Sequence, residues 1–259
     1  MSAIVSQGSS WRPSFGAALF GCIVMAIALW LTLDPKLGQT LLQWLPYLLK
    51  GFGMNVLISI LAIAIGTFIG VLLGVMELAP YRLVRAPAFL YVQIFRNAPH
   101  LVLIFAATYI FPFELVISGH YLPFPDWIKA VIGLAIPASA HIAEITRGAI
   151  QSIPTAQWEA AQGLGFSRSQ SLRWIILPQC IKRSLPPWMN LYSSITMGTA
   201  LASLVGVHEL LHAATDASTA VQRTDFTVMI YLTVLMAFFL FCYPVSRFTQ
   251  RLERRFASR

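Results

Sequence analysis

The chain has 259 residues, of which 57% are hydrophobic and only 11% charged. Soluble domains carry about a quarter charged residues, so folding in water would expose too much apolar surface, and the expected solvent is a bilayer. The net charge of +8 would raise nucleic acid as a partner of a soluble chain. Here no basic run interleaved with aromatics suggests a base-stacking groove, and basic residues in a membrane protein mark the cytoplasmic face, where anionic lipid retains them.

The first sixteen residues carry only Arg12 before an apolar run that lacks a small-residue cleavage site. The run therefore reads as an uncleaved first span, not a signal peptide. A helix needs about 20 mostly apolar residues to cross a bilayer. Candidate spans follow at roughly 15–33, 53–76, 89–111, 127–146, 188–207 and 226–246. Arg96 and Pro99 interrupt the third, Pro137 and His141 the fourth. With the N-terminus inside, 14 Lys and Arg residues fall on the inner side and 4 (Lys36, Lys50, Lys129, Arg223) on the outer side. That bias predicts an all-α membrane protein of about six transmembrane helices, N-in and C-in. Cys22, Cys180 and Cys242 are odd in number and far apart, which provides neither a disulfide framework nor thiol-metal spacing.

Gly66, Gly70 and Gly74 on the second span are spaced four apart and share one helix face. Such a stripe lets another backbone approach closely, within the bundle or at a subunit interface. Two loops are long, 147–187 on the inner side and 208–225 on the outer side. The inner loop predicts two short helices around a glycine break. Pro154 and Thr155 open the first, and Gly163 and Gly165 end it. Ser167 and Gln170 form a capping box for the second, which Pro178 limits. A hairpin this small is not stable alone and needs a partner surface.

Glu159-Ala160-Ala161, then Gly165, then Ile175-x-Leu177-Pro178 stand at the spacing of the signature loop of type I ABC importer permeases. The chain resembles that family over roughly residues 45–255. A narrower resemblance, to the polar amino acid permease subfamily, is carried by the stretch from His141 and Glu144 through Arg147 to Ser152. Leu177-Pro178-Gln179, Ala202-Ser203-Leu-Val-Gly206-Val-x-Glu209-Leu210 and Arg251-Leu252-Glu253-Arg254-Arg255 add to it. The resemblance implies a five-helix permease core at 51–250, preceded by an N-terminal segment (1–50) with an extra span and followed by a basic cytoplasmic tail (251–259). It implies a coupling loop at about 152–178 whose Glu159, Ala160, Ala161, Leu164, Gly165, Phe166, Ser167, Leu177 and Pro178 engage a separate ATPase. It also implies a second permease subunit, identical or related, an extracytoplasmic solute-binding protein, a polar amino acid as substrate, and a place in the bacterial inner membrane. One departure stands out. Many members carry a Lys-Asp pair before the match to Ala202-Ser203, whereas this chain reads Thr196-Met197-Gly198-Thr199-Ala200-Leu201. That leaves the identity of the solute open.

Other constellations offer alternatives. His208-Glu209-Leu210-Leu211-His212 is a literal H-E-x-x-H. On a helix its histidines would share a face and could hold zinc, with the glutamate as general base, as in an intramembrane metalloprotease. A catalytic zinc needs a third protein ligand, for which Asp216 is the nearest acid, and the motif sits at the outer mouth of a span, not at membrane depth. The expectation is no catalytic residue, no metal and no cofactor. Glu144 and Arg147 are three apart, which suits either a salt bridge at the inner helix end or a gate. Hydroxyls and polar groups on spans four and five, Ser139, His141, Asn190, Ser193, Ser194, Thr196, Thr199 and Ser203, are candidates for a polar path, although hydroxyls in spans often bond their own backbone. No G-x-x-x-x-G-K-[ST] loop occurs, so ATP binding would lie on another chain.

Overall fold

The computed structural model describes residue 21 and residues 34–117 and 120–257. The expected first span lies, apart from residue 21, outside the described residues. Helix α1 (Pro35–Glu77) opens on Asp34, whose side chain accepts from the backbone N–H groups of Lys36 and Leu37, with Pro35 in the first turn. Arg223 pairs with the same carboxyl at 2.8 Å and joins the start of α1 to the far end of the chain. At 43 residues, α1 is about 65 Å long, twice the bilayer core. The helix thus starts well before the expected span at roughly 53–76, through a stretch that includes Lys36, Gln39, Gln43 and Lys50. Leu37 and Leu48 nevertheless pack in a cluster with Leu210, Ala213, Phe226 and Ile230, and that packing carries the helix outward.

The third expected span is not one straight helix. It divides into α2 (Arg82–Arg96) and α3 (His100–Ile110), bent by 108°. Pro99 disfavours a helical residue before it, and the Asn97 side chain folds back to donate to the Gln93 carbonyl. An antiparallel hairpin of β1 (Glu114–Ile117) and β2 (His120–Pro123) follows, pairing Glu114 with Pro123 and Ile117 with His120. This small departure from an all-α chain was not foreseen.

Helix α4 (Asp126–Gln151) is the centre of the bundle. Its small residues let α1 and α3 pack tightly against it. Gly66, Gly70 and Gly74 of α1 lie directly against Ala138, Ser139, Ile142, Ala143 and Thr146 of α4, so the glycine stripe is packed within the chain. Gly133 of α4 lies equally close to the Ile104 backbone of α3. At the outer end Lys129 is fully buried, 3.0 Å from Asp126 and with its ammonium over the Phe113 ring.

After α5 (Thr155–Gly163) and one turn of α6 (Arg168–Gln170), the chain winds as a π-helix over Ser171–Ile176 and resumes as α7 (Leu177–Gly198). Pro178 therefore does not end the helix. The Leu177 N–H reaches back to the Leu172 carbonyl, and this wider turn restarts the α-helix so that Pro178 falls in a first turn, where no N–H is needed. A 3₁₀ segment (Thr199–Val205) leads to Gly206, which has the left-handed φ of 84°. Helices α8 (Leu210–Val221) and α9 (Thr224–Ala257) complete the chain. Three described helices can each cross a membrane, and two bent pairs bring the total to five spans if each pair is one.

Candidate functional site

The cytoplasmic hairpin is built on a small core. Ala149 and Ile153 at the end of α4 cluster with Ile176 and Cys180, and Trp158 of α5 packs on them. Ala161 is buried beneath α5. The helix ends in a Schellman motif. Phe166 N–H donates to the Ala161 carbonyl and Gly165 N–H to the Gln162 carbonyl, with Gly165 at φ 79°, a conformation that glycine takes without steric cost. Gly163 itself is still helical. The Ser167 and Gln170 capping box is present, with both reciprocal bonds formed. Arg183 of α7 donates to the Ser152 carbonyl and, at 2.9 Å, to its hydroxyl, pinning the start of the loop.

This scaffold leaves one face bare. Glu159 and Ala160 are exposed, as are Leu164 at 76% and Leu177. Among the described residues no hydrogen bond or ion pair engages Glu159. Trp174, on the π segment, is 71% exposed, and no local sequence signal marks it. The exposed carboxylate of Glu159 thus stands on the same hairpin as the bare apolar side chains of Leu164, Trp174 and Leu177.

Above the hairpin a charge network joins three helices. Glu144 bonds Arg96 of α2 at 2.9 Å and Arg147 one turn along α4 at 2.5 Å, while Arg147 Nε lies 3.1 Å from Glu77 at the end of α1. Arg147 also donates to Gln151, the last residue before the loop. The network sits beside a crevice of about 500 Å³ lined by Arg82, Arg85 and Phe89.

The polar groups singled out on spans four and five do not form one path. Thr196 and Thr199 are buried, and their hydroxyls donate to the carbonyls of Tyr192 and Thr196. Ser203 donates to Ala200. Ser139 is buried between the Ile136 carbonyl and the Tyr91 hydroxyl. These hydroxyls satisfy helix backbones inside the bundle. His141 and Glu144 lie on α4, on the side of Arg96 and His100. Ser194 is exposed. Ser193 and Asn190 instead line a separate crevice of about 440 Å³ between α7 and α9, with Met197, Phe238 and Tyr243.

At the outer end, Asn55 supplies a contact that the sequence reading overlooked, though a lone amide in an apolar run was a readable signal. Its side-chain N–H groups donate to Glu209 at 2.8 Å and Thr199 at 2.9 Å, and its oxygen accepts from Leu210 N–H at 3.0 Å. Glu209 is fully buried. It caps α8 by accepting from the backbone of Leu211 and His212, where the helix N-terminus favours a carboxylate. It is thus a capping residue and not a general base, and His208 stands outside the helix. Asn55→Ala is expected to remove about 1–3 kcal/mol by leaving the buried carboxylate short of a donor, read as a lower melting temperature of the detergent-solubilised chain.

Residues 66–258 match the family described as binding-protein-dependent transport system inner membrane component. The probable amino-acid ABC transporter permease protein YckA of Bacillus subtilis is 35% identical over 212 residues, covering 82% of this chain and 90% of that protein. The glutamine transport system permease protein GlnP of Escherichia coli is 31% identical, covering 82% and 93%. The L-cystine transport system permease protein TcyB of B. subtilis is 30% identical, covering 87% and 94%. Among solved structures, an amino acid ABC transporter crystallised with histidines aligns at a TM-score of 0.71 and 25% identity over 84% of this chain and 97% of that one.

Proposed function

We propose a function from the premise that this chain belongs to the family of binding-protein-dependent transport system inner membrane components. It is a membrane-spanning permease subunit of an ABC importer in the inner membrane, and it is not an enzyme: ATP is hydrolysed by a separate subunit. The solute we assign is a polar amino acid, after the named substrates of its relatives. We assign the permease domain to 51–250, with the 1–50 segment before it and the 251–259 tail after it, although the family match itself runs on to residue 258.

The observation that carries the mechanism is the bare face of the α5 hairpin. Glu159, Ala160 and Leu164 face solvent on a helix whose other side is locked to the ends of α4 and α7. This is the geometry of a lever: a rigid knob for an ATPase cleft, joined at Ser152 and Arg183 to two spans. Ala161, Gly165, Phe166 and Ser167 shape the knob, and Leu177 and Pro178 set the restart of the helix behind it. Closure of an ATPase pair would shift the equilibrium between inward- and outward-open states by its differential contact with this knob. Two permease subunits would enclose the pathway, and the α7–α9 crevice with Asn190 and Ser193 supports that surface as its lining. On this reading Ser194, exposed on α7, faces the pathway, while His141, Glu144, Thr196, Thr199 and Ser203 act as supports of the helices around it.

The test is reconstitution in proteoliposomes with the ATPase, the second permease chain and the binding protein. Addition of polar amino acid should raise ATP hydrolysis several-fold only when binding protein is present. Uptake driven by an ion gradient without an ATPase would instead indicate a lone secondary transporter and defeat the reading.

A further inference from the structure

The H-E-x-x-H motif is not consumed by permease function, yet its histidines meet. His208, in the turn before α8, and His212, in the first turn of α8, have ring centroids 4.4 Å apart at 86°. One turn further along, Asp216 brings a carboxylate oxygen to 3.8 Å from His212 Nε2. One donor atom from each of the three residues lies within 4.8 Å of the others. We propose that His208, His212 and Asp216 form an outward-facing binding site for a divalent first-row transition-metal ion such as zinc.

Three features support a site over a chance encounter. The first is the donor set. Two imidazoles and one carboxylate suit zinc and its neighbours, whereas magnesium and calcium take oxygen ligands. The second is orientation by surrounding groups. Asp216 uses one oxygen to accept a 2.8 Å hydrogen bond from the Tyr47 hydroxyl of α1, which leaves the other directed at His212. A ligating carboxylate is typically fixed by such a partner. Glu209 holds the backbone of His212 and Leu211 from below. The third is distance. Zinc bonds of about 2.0–2.2 Å place tetrahedral ligand atoms about 3.3–3.5 Å apart, so side-chain rotations of about an ångström close the present spacing. His208 is exposed, which keeps a fourth position open to water.

The site would bind an ion without hydrolysing anything. Glu209, the base a protease would need, is fully buried and engaged by Asn55 and two backbone N–H groups. A bound ion would tie the turn after Gly206 to α8 and, through Tyr47, to α1. It would thus bridge elements on both sides of the outer bend.

The test uses the full chain without a polyhistidine tag, stripped with chelator and held in nanodiscs. Equilibrium dialysis against Zn²⁺ should give one ion per chain, retained in a thousandfold excess of Mg²⁺. His212→Ala and Asp216→Asn should each weaken binding at least about tenfold. Tyr47→Phe should weaken it by about tenfold, the low end for a supporting residue, and His120→Ala, on β2 and outside the cluster, should change nothing. Co²⁺ added to the unmodified chain should produce visible tetrahedral d–d absorption, a readout independent of any variant's folding. Absence of stoichiometric zinc, or zinc retained equally by His212→Ala, overturns the site and leaves a His212–Asp216 side-chain contact only.

Discussion

Glu159→Lys is expected to abolish ATP-coupled uptake while leaving the chain inserted and folded. Glu159 is exposed and makes no ion pair among the described residues, so within the chain the reversal costs under about 0.5 kcal/mol, the range of featureless surface positions. At a docked interface the cost is of another order. Losing one partner of a buried charge pair costs about 2–5 kcal/mol in association, and a reversed charge adds repulsion. Thirtyfold or greater weakening of ATPase docking should follow, with uptake falling in proportion. Two measurements separate the cases: melting temperature in detergent, expected within a degree or two of the parent, and amino-acid-stimulated ATP hydrolysis in the reconstituted complex, expected near basal. Normal uptake together with normal stimulation would remove Glu159 from the coupling surface. The Schellman turn explains why the effect is local. Gly165 ends α5 within its own hydrogen bonds, and the carboxylate is carried by a knob that does not depend on it.

The structure of the α5–α6 hairpin is readable because its signals are local. Ser167 and Gln170 announce a capping box, Gly165 announces a left-handed cap, and both are decided by residues within one turn. Pro178 was misread for the same reason. Its local meaning is a helix stop, but the π turn over Ser171–Ile176 absorbs the missing N–H, and that turn is fixed by burial of Ser171 and Ile176, which no local rule sees. The hydroxyls are ambiguous in the sequence: Thr196 and Thr199 read equally as pathway or as backbone-satisfied packing, and only the folded chain shows them donating to the carbonyls of Tyr192 and Thr196. The bend at Asn97–Pro99 was marked by its proline but not by its angle, because hydropathy windows measure apolarity along the chain and are blind to direction. For Glu209 the sequence offers a base only as an alternative to the family pattern Val-x-Glu-Leu, and neither announces the cap that its side chain forms on the N–H groups of Leu211 and His212.

Gly70→Leu should prevent the fold from forming at all, and the reason lies in backbone distances. A Cβ at Gly70 would stand 2.5 Å from the Ser139 carbonyl oxygen and 2.7 Å from the Ile142 Cβ. Neither atom is the free end of a flexible side chain, so relief requires α1 and α4 to separate. Overpacking in a close-packed interior typically costs about 1–3 kcal/mol where side chains can yield. Here the helices cannot yield locally, because Gly66 and Gly74 hold the same pair at Cβ distances of 2.8 Å and 2.6 Å from α4. Opening the seam at one glycine opens it at all three. Against a total stability of about 5–15 kcal/mol, the expected outcome is loss of monodisperse protein on extraction, already visible as a large fall in melting temperature for Gly70→Ala. Gly148→Ala is the matched control: a Cβ there meets nothing within 4 Å, and replacing a helical glycine with alanine should stabilise by up to about 1 kcal/mol. Equal tolerance at both positions would mean that α1 and α4 are not held together by this stripe.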